Sequence, residues 1–131
     1  MHNQHRAKEP ETMAASNKKA AADAEKMAKK IASMEPADRA MAERIHDIVT
    51  EAAPDLAPKL WYGQPAWYRD GAALCFFRSG HDDKERYSTF GIGATAALDE
   101  PGGLWPTSWA ITEITDESAE TIRALVARAA A

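Results

Sequence analysis

The dipeptide Asp70-Gly71, between the apolar runs of "WYRDGAALCFF", constrains the fold more than any other feature of the chain. A type I′ turn between two strands needs positive φ at both central residues, and Asp followed by Gly adopts that conformation readily. The stretch therefore predicts an antiparallel hairpin with strands at about residues 65–69 and 72–78.

Further strands are predicted on both sides of this hairpin. "RYSTFGIG" and "SWAITEI" have the composition of strands, and the polar "GHDDKE" is typical of a solvated loop. "ATAALDEPGG" predicts one helical turn followed by a loop. Before the hairpin, "LWYGQPAWY" predicts a kinked strand or a tight connection, because Gly63 permits a bend and Pro65 biases Gln64 toward extended backbone.

Three segments have the apolar spacing of helices. The first begins at about Ala14 and has a thin stripe made mostly of alanine. The second begins at Pro36 and ends before Pro54, with an apolar face that includes Met41 and Ile45. Thr115 is the predicted N-cap of the third helix, which places two acids in its first turn.

This order of elements predicts an α+β fold. We expect a two-layer sandwich in which an antiparallel sheet of about five strands carries helices mainly on one face. The chain has 131 residues, of which 45% are apolar, enough for one domain with a real core. Residues 1–13 are polar and without period and are predicted to be a disordered tail, and residues 14–131 to be the single domain.

Composition narrows the classes of function. Apolar runs are short and no secretion signal begins the chain, so we expect a cytoplasmic protein without a membrane span. One cysteine, Cys75, fits a reducing compartment. Residues 1–34 carry a net charge of +3 and residues 35–131 carry −7, so the folded part lacks the basic face that nucleic-acid binding needs.

The strand around Cys75 is apolar on both faces, since Leu74 and Phe76 alternate with Ala73, Cys75 and Phe77. Both faces therefore need cover, from aromatic loops, from the first helix or from a second subunit. One prediction is a cavity for a small or hydrophobic ligand, bounded by Trp61, Tyr62, Gln64, Trp67, Tyr87 and Trp109. The alternatives are a filled aromatic core and a homodimer built on the second face.

Acidic side chains provide candidate metal ligands. Glu43, Asp47 and Glu51 recur every four residues, so they share one side of the second helix. Carboxylates suit hard cations and, with lower selectivity, Fe(II). The alternative is a solvated helix face. A second acidic group, in the loop with His81, lacks the spacing of a calcium loop.

Catalytic signals are weak. His46, His81 and Cys75 are the only candidate groups, and no constellation connects them in the sequence. The pattern predicts His46 at the border of the buried helix stripe, and it predicts that Cys75 is a small buried hydrophobic residue. No nucleophile elbow, phosphate loop or zinc-protease motif is present, and "GIGATA" lacks the remaining residues of a dinucleotide fingerprint.

Residues 25–130 resemble the bacterial YdhG-like family, a domain of unknown function. The resemblance is most specific at Tyr62-Gly63 with Pro65-Ala66, a "YG-x-PA" pattern, and at "WPTSWAITEIT". It implies a compact α+β domain with helices on an antiparallel sheet. Gln64 and Trp67 depart from relatives that carry methionine and a smaller aromatic residue, which bears on the shape of any pocket.

Two functions follow as expectations. The first is a non-enzymatic binding module that uses the aromatic cavity and needs no cofactor. The second rests on the resemblance, because one branch of the family is described as a frataxin-like iron chaperone. That function would use the carboxylates of the second helix or of the acidic loop to hold iron.

Overall fold

The computed structural model describes the backbone of residues 2–131 and the side chains of residues 14–131. Three helices and five strands form an α+β fold, as the sequence predicts. They are α1 (His2–Ala32), α2 (Pro36–Ala52), β1 (Ala57–Trp61), β2 (Gln64–Arg69), β3 (Ala72–Arg78), β4 (Ser88–Ile92), β5 (Ser108–Ile111) and α3 (Asp116–Ala130). The predicted tail, residues 1–13, lies outside the residues whose side chains are described.

The five strands form one antiparallel sheet in which sequence neighbours are also spatial neighbours, in the order β1-β2-β3-β4-β5. Two-residue turns join the first three strands. Tyr62 and Gly63 have φ of 50° and 77°, and Asp70 and Gly71 have φ of 51° and 79°. The Asp70-Gly71 hairpin is confirmed, and "LWYGQPAWY" is the preceding hairpin, in which Trp61 pairs with Gln64.

Local chemistry fixes the helix ends. The Glu35 carboxylate accepts hydrogen bonds from the amides of Ala37 and Asp38 at the start of α2. At α3 the Thr115 hydroxyl accepts from the Ser118 amide, and the Ser118 hydroxyl accepts from the Thr115 amide, which is a capping box. The N-cap predicted from sequence is therefore confirmed, with serine as the reciprocal partner.

The helices cover one face of the sheet. Cross-strand pairs place Trp67 beside Cys75, and Phe77 beside Phe90, so these side chains share a face. All four are at most 1% exposed and belong to one core with Ile45, Ile48, Val49, Ile122 and Val126 of α2 and α3. This apolar layer holds the helices against the sheet.

The opposite face is covered only in part. Leu74 is buried on it, while Phe76 is half-buried and packs its ring over Gly91, where a Cβ would lie 2.2 Å from the ring. Trp61 lies against Phe76 with ring centroids 5.0 Å apart. Beyond them Tyr62 is 89% exposed. Of the covers expected for the face opposite the helices, the structure shows an aromatic contact between Trp61 and Phe76 at the end of the first hairpin.

The two edges of the sheet differ. Helix α1 packs along β1 and covers that edge with Met27 and Ile31 among its buried residues. At the other edge β5 pairs only with β4 among the described residues. None of the described helices is both long enough and apolar enough to cross a membrane.

A buried carboxylate fastens the β3–β4 loop to α2. Asp38 is 7% exposed and accepts hydrogen bonds from the hydroxyls of Ser79 and Ser88 and from the amide of His81. Three donors compensate the cost of burying the charge. Asp38 lies in the first turn of α2, where a negative charge is favoured, and it also orders the loop.

Burial makes the Cys75 thiol unreactive. The side chain is fully buried, and this burial raises the pKa of the thiol to about 12, so it stays protonated at neutral pH. We expect iodoacetamide at pH 8 to leave the native protein unmodified and to alkylate the unfolded protein in full, as measured by intact mass. Alkylation of both states at similar rates would contradict the buried placement.

Candidate functional site

A groove lies between α1, α2 and β1, with a volume of about 720 Å³. We call it the α1–α2 groove. It is lined by Ala24, Met27, Ala28, Ile31, Ala32, Arg39, Glu43, His46, Asp47 and Pro58. Alanines at three positions one turn apart on α1 leave this space, because each fills little volume against the facing helix.

Trp67 fixes the one histidine in this groove. The indole Nε1–H of Trp67, on β2, donates to Nδ1 of His46, on α2, at 3.1 Å. The two rings are stacked with centroids 6.1 Å apart. Because Nδ1 accepts this bond, the neutral ring carries its hydrogen on Nε2. The groove wall therefore holds an imidazole whose orientation and tautomer are set by a buried residue.

The rim of the groove is charged and slightly acidic. Arg39 and Glu43 form an exposed ion pair, with Nε and Oε1 3.7 Å apart. Asp47, one turn further along α2, makes no ion pair or side-chain hydrogen bond within residues 14–131. The lining thus contains one basic side chain, Arg39, and two carboxylates. Arg39 pairs with Glu43, so Asp47 is the carboxylate that has no cation beside it within residues 14–131.

The structure does not bring the six predicted ligand-binding residues together. Trp67 is buried under α2, whereas Trp61 and Tyr62 lie at the end of the first hairpin. Since side chains alternate along a strand, Trp61 and Trp67 point to opposite faces of the sheet. Trp109 packs beside Phe90 on the helix-covered face, and half-buried Tyr87 lies ahead of β4.

Gln64 has a structural role in place of the predicted ligand contact. Its Oε1 accepts from the Ser79 amide at 3.1 Å, and its Nε2 donates to Asp82 at 3.0 Å. Asp82 also accepts from Lys30 of α1 at 2.6 Å. Donation by Lys30, and next by Gln64, lowers the pKa of the Asp82 carboxyl. These bonds join α1, β2 and the β3–β4 loop.

The predicted carboxylate row is divided by the structure. Glu43 and Asp47 line the α1–α2 groove, while Glu51 lies 3.4 Å from Arg123 of α3. Within residues 14–131 no group of three His, Cys, Asp or Glu side chains has the arrangement of a metal site. Iron binding therefore stays a prediction, and its remaining carboxylate pair is Glu43 and Asp47.

The three candidate catalytic groups lie in different surroundings. His46 lines the groove, His81 is exposed in the β3–β4 loop, and Cys75 is buried in β3. Among the described residues, no hydrogen bond joins any two of them. The apolar spacing of α2 predicts His46 at the border of the buried stripe, but its bond to Trp67 joins residues 21 positions apart and has no signal in the sequence.

Comparisons with protein-family models, with curated proteins and with solved structures gave no match for this chain. The resemblance to the YdhG-like family stays a prediction.

Replacing Trp67 tests the hydrogen bond behind the groove. We expect Trp67→Phe to lower the free energy of unfolding by at least about 1 kcal/mol, because His46 Nδ1 loses its partner beneath the helix. Trp61→Phe removes the same atoms from a residue that is 36% exposed, and we expect a change below about 0.5 kcal/mol. Chemical denaturation measures both, and equal losses would contradict the role of the bond.

Replacing Asp82 tests the junction with Lys30 through its pH dependence. The folded pKa of this carboxyl is lowered, so its stabilisation is present above the unfolded pKa near 3.8 and is lost as pH falls through the folded value. We expect Asp82→Asn to cost up to about 1 kcal/mol at pH 7, since the pair is partly exposed.

That cost should shrink below about pH 4, where the wild-type carboxyl begins to protonate. Urea unfolding at pH 7, 4 and 3 measures the difference at each pH. Asp99→Asn, at an exposed position without a described hydrogen bond, is the matched control. A difference between wild type and Asp82→Asn that grew on acidification would contradict the assignment.

Proposed function

We propose that the protein is a binding module that takes a small, mostly apolar ligand with an ammonium group in the α1–α2 groove. The observation that carries this proposal is one groove with an apolar wall from α1, a fixed imidazole and a carboxylate, Asp47, that has no ion-pair partner among residues 14–131. The function is the one expected from the sequence, but the proposed site is the α1–α2 groove, whose lining includes none of the six residues of the predicted aromatic cavity.

Size and lining support a small organic ligand. A volume of about 720 Å³ lies within the range of roughly 300–1,000 Å³ that is usual for such sites. Met27 and Ile31 are buried beside exposed Ala28, so the α1 wall offers methyl and methylene groups. Burying the hydrocarbon part of a ligand there would supply the favourable free energy.

Charge determines the head group. Asp47 has no described cation beside it, whereas Arg39 is already paired with Glu43. An ammonium group at Asp47 would balance the second carboxylate of the lining, and His46 Nε2–H is a donor for a neutral oxygen on the same ligand. A carboxylate ligand would instead meet two acids and one engaged arginine.

Three probes of equal chain length test this assignment: octylammonium, octanol and octanoate. Isothermal titration calorimetry below their critical micelle concentrations should give saturable binding of octylammonium. We expect octanol to bind several-fold more weakly and octanoate at least about tenfold more weakly, as the loss of one ion pair implies. Equal affinity for octanoate would refute the charge assignment.

Variants locate the site. We expect Ala28→Trp to fill the groove and weaken octylammonium binding at least about tenfold, and Asp47→Asn to remove its advantage over octanol. Glu51→Gln removes a carboxylate one turn beyond Asp47, outside the groove lining, and should leave binding unchanged. Unchanged binding by Ala28→Trp would place the ligand elsewhere.

Iron handling is the second candidate function, supported by Glu43 and Asp47 one turn apart on the same rim. Anaerobic titration with Fe(II) distinguishes it from the first. Saturable Fe(II) binding that is lost in the Glu43→Gln, Asp47→Asn double variant and retained in Ala28→Trp would favour iron. Binding no stronger than that of the Glu43, Asp47, Glu51 triple alanine variant would remove this candidate.

A further inference from the structure

Strand β5 presents an open edge with the features of a pairing site. The Thr107 carbonyl accepts from the Ile92 amide at 2.8 Å, and bonded pairs alternate along an antiparallel ladder. Trp109 and Ile111 therefore bond to β4, while the N–H and C=O groups of Ser108 and Ala110 point away from the sheet. Both residues are exposed, and no described strand lies on this outer side of β5.

This edge lacks the devices that usually discourage pairing. Edge strands tend to carry charges, proline or a bulge, or to be covered by a helix. Strand β1 contains Pro58 and Lys59 and lies beneath α1. Strand β5, Ser108–Ile111, has no charge, proline or bulge, and within residues 14–131 its short length of four residues is the one such protection.

A groove of about 400 Å³ lies beside this edge, between β5 and α3. We call it the β5–α3 groove. Its apolar lining is formed by Phe90, Trp109, Ile111, Ile122 and Leu125. A strand added to β5 would direct alternate side chains to the helix-covered side of the sheet, where this lining lies.

The charged residues of the groove are all acidic. Glu113 and Glu117 line it, and no lysine or arginine does. Both are exposed, and neither forms an ion pair within residues 14–131. The groove therefore favours a partner that brings lysine or arginine beside its apolar side chains.

We propose that the β5–α3 groove binds an extended peptide segment with alternating apolar and basic residues, which pairs with β5 as a sixth strand. Backbone bonds to Ser108 and Ala110 supply the pairing, the apolar lining takes every second side chain, and Glu113 and Glu117 select the cations. This site is separate from the α1–α2 groove, so it stands independently of the small-ligand proposal.

Synthetic peptides test the proposal on the full chain. The probe is fluorescein-labelled VKVKVKVK at nanomolar concentration, with binding followed by fluorescence anisotropy. We expect saturable binding of VKVKVKVK and at least about tenfold weaker binding of VEVEVEVE, which loses the attraction to the two glutamates. Two N-methylated forms of VKVKVKVK carry methyl groups on one or the other set of alternate backbone amides, and the form methylated on the side that faces β5 should bind at least about tenfold more weakly. If both forms bound as tightly as the unmodified peptide, strand pairing would be overturned.

Variants on the protein side give a second measurement. Ala110→Pro removes an outward N–H without touching the β4 ladder, and should weaken the peptide about tenfold. The Glu113→Gln, Glu117→Gln double variant should reduce the preference for lysine, while Glu100→Gln is the matched exposed control. Should Ala110→Pro fail to fold by circular dichroism, the modified peptides still decide between the outcomes.

A second copy of the chain is the competing occupant of the edge. A concentration-dependent dimer by light scattering that is abolished by Ala110→Pro and unaffected by the peptide would overturn the proposal in favour of self-association. Ala28→Trp and Asp47→Asn alter the other groove and should leave peptide binding unchanged. Loss of peptide binding in those variants would also contradict a separate site.

Discussion

The structure depends on one constraint, which is that the central strand β3 is apolar on both faces. Cys75 and Phe77 are fully buried beneath the helices, and Leu74 is buried on the other side. Apolar area removed from water stabilises the fold in proportion to its extent, so both faces need contacts. Helices α2 and α3 cover one face, and the Trp61 and Phe76 rings cover part of the other.

Features set by neighbouring residues could be predicted from the sequence. The Asp70-Gly71 turn and the Thr115 cap depend on contacts within a few positions, and both are confirmed. The fold class follows from the order of such elements. The turn within "LWYGQPAWY" is harder to predict, because Tyr62 as well as Gly63 adopts positive φ. Without that turn, the opposite directions of Trp61 and Trp67 could not be seen.

The candidate site was less predictable because its contacts join distant parts of the chain. The sequence predicts a ligand contact for Gln64, yet its side-chain amide forms hydrogen bonds with Ser79 and Asp82, 15 and 18 positions away. Trp67 and His46 are joined across 21 positions. The sequence shows the alanine stripe of α1, and alanine predicts a contact with little buried area. It does not show whether side chains of α2 fill the gap that these alanines leave, so the groove could not be predicted.

Polar side chains connect elements that apolar packing alone would leave adjustable. Buried Asp38 accepts hydrogen bonds from Ser79 and His81 of the β3–β4 loop and from Ser88 at the start of β4, and the partly exposed Asp82 accepts from Lys30 and Gln64. Such bonds are directional, and a buried carboxylate is costly unless its partners are in place. The loop therefore has one favoured position against α2, and α1 is tied to the same loop by Lys30.

The unequal edges of the sheet limit how it can grow. Helix α1 lies along β1, whereas β5 has free backbone groups on its outer side within the described chain. Strand addition is therefore open at one end and blocked at the other. The proposed peptide would extend the sheet by one strand at β5. Because α1 lies along β1, β5 of one molecule would find no matching free edge on β1 of the next, so pairing of that kind would not continue into a filament.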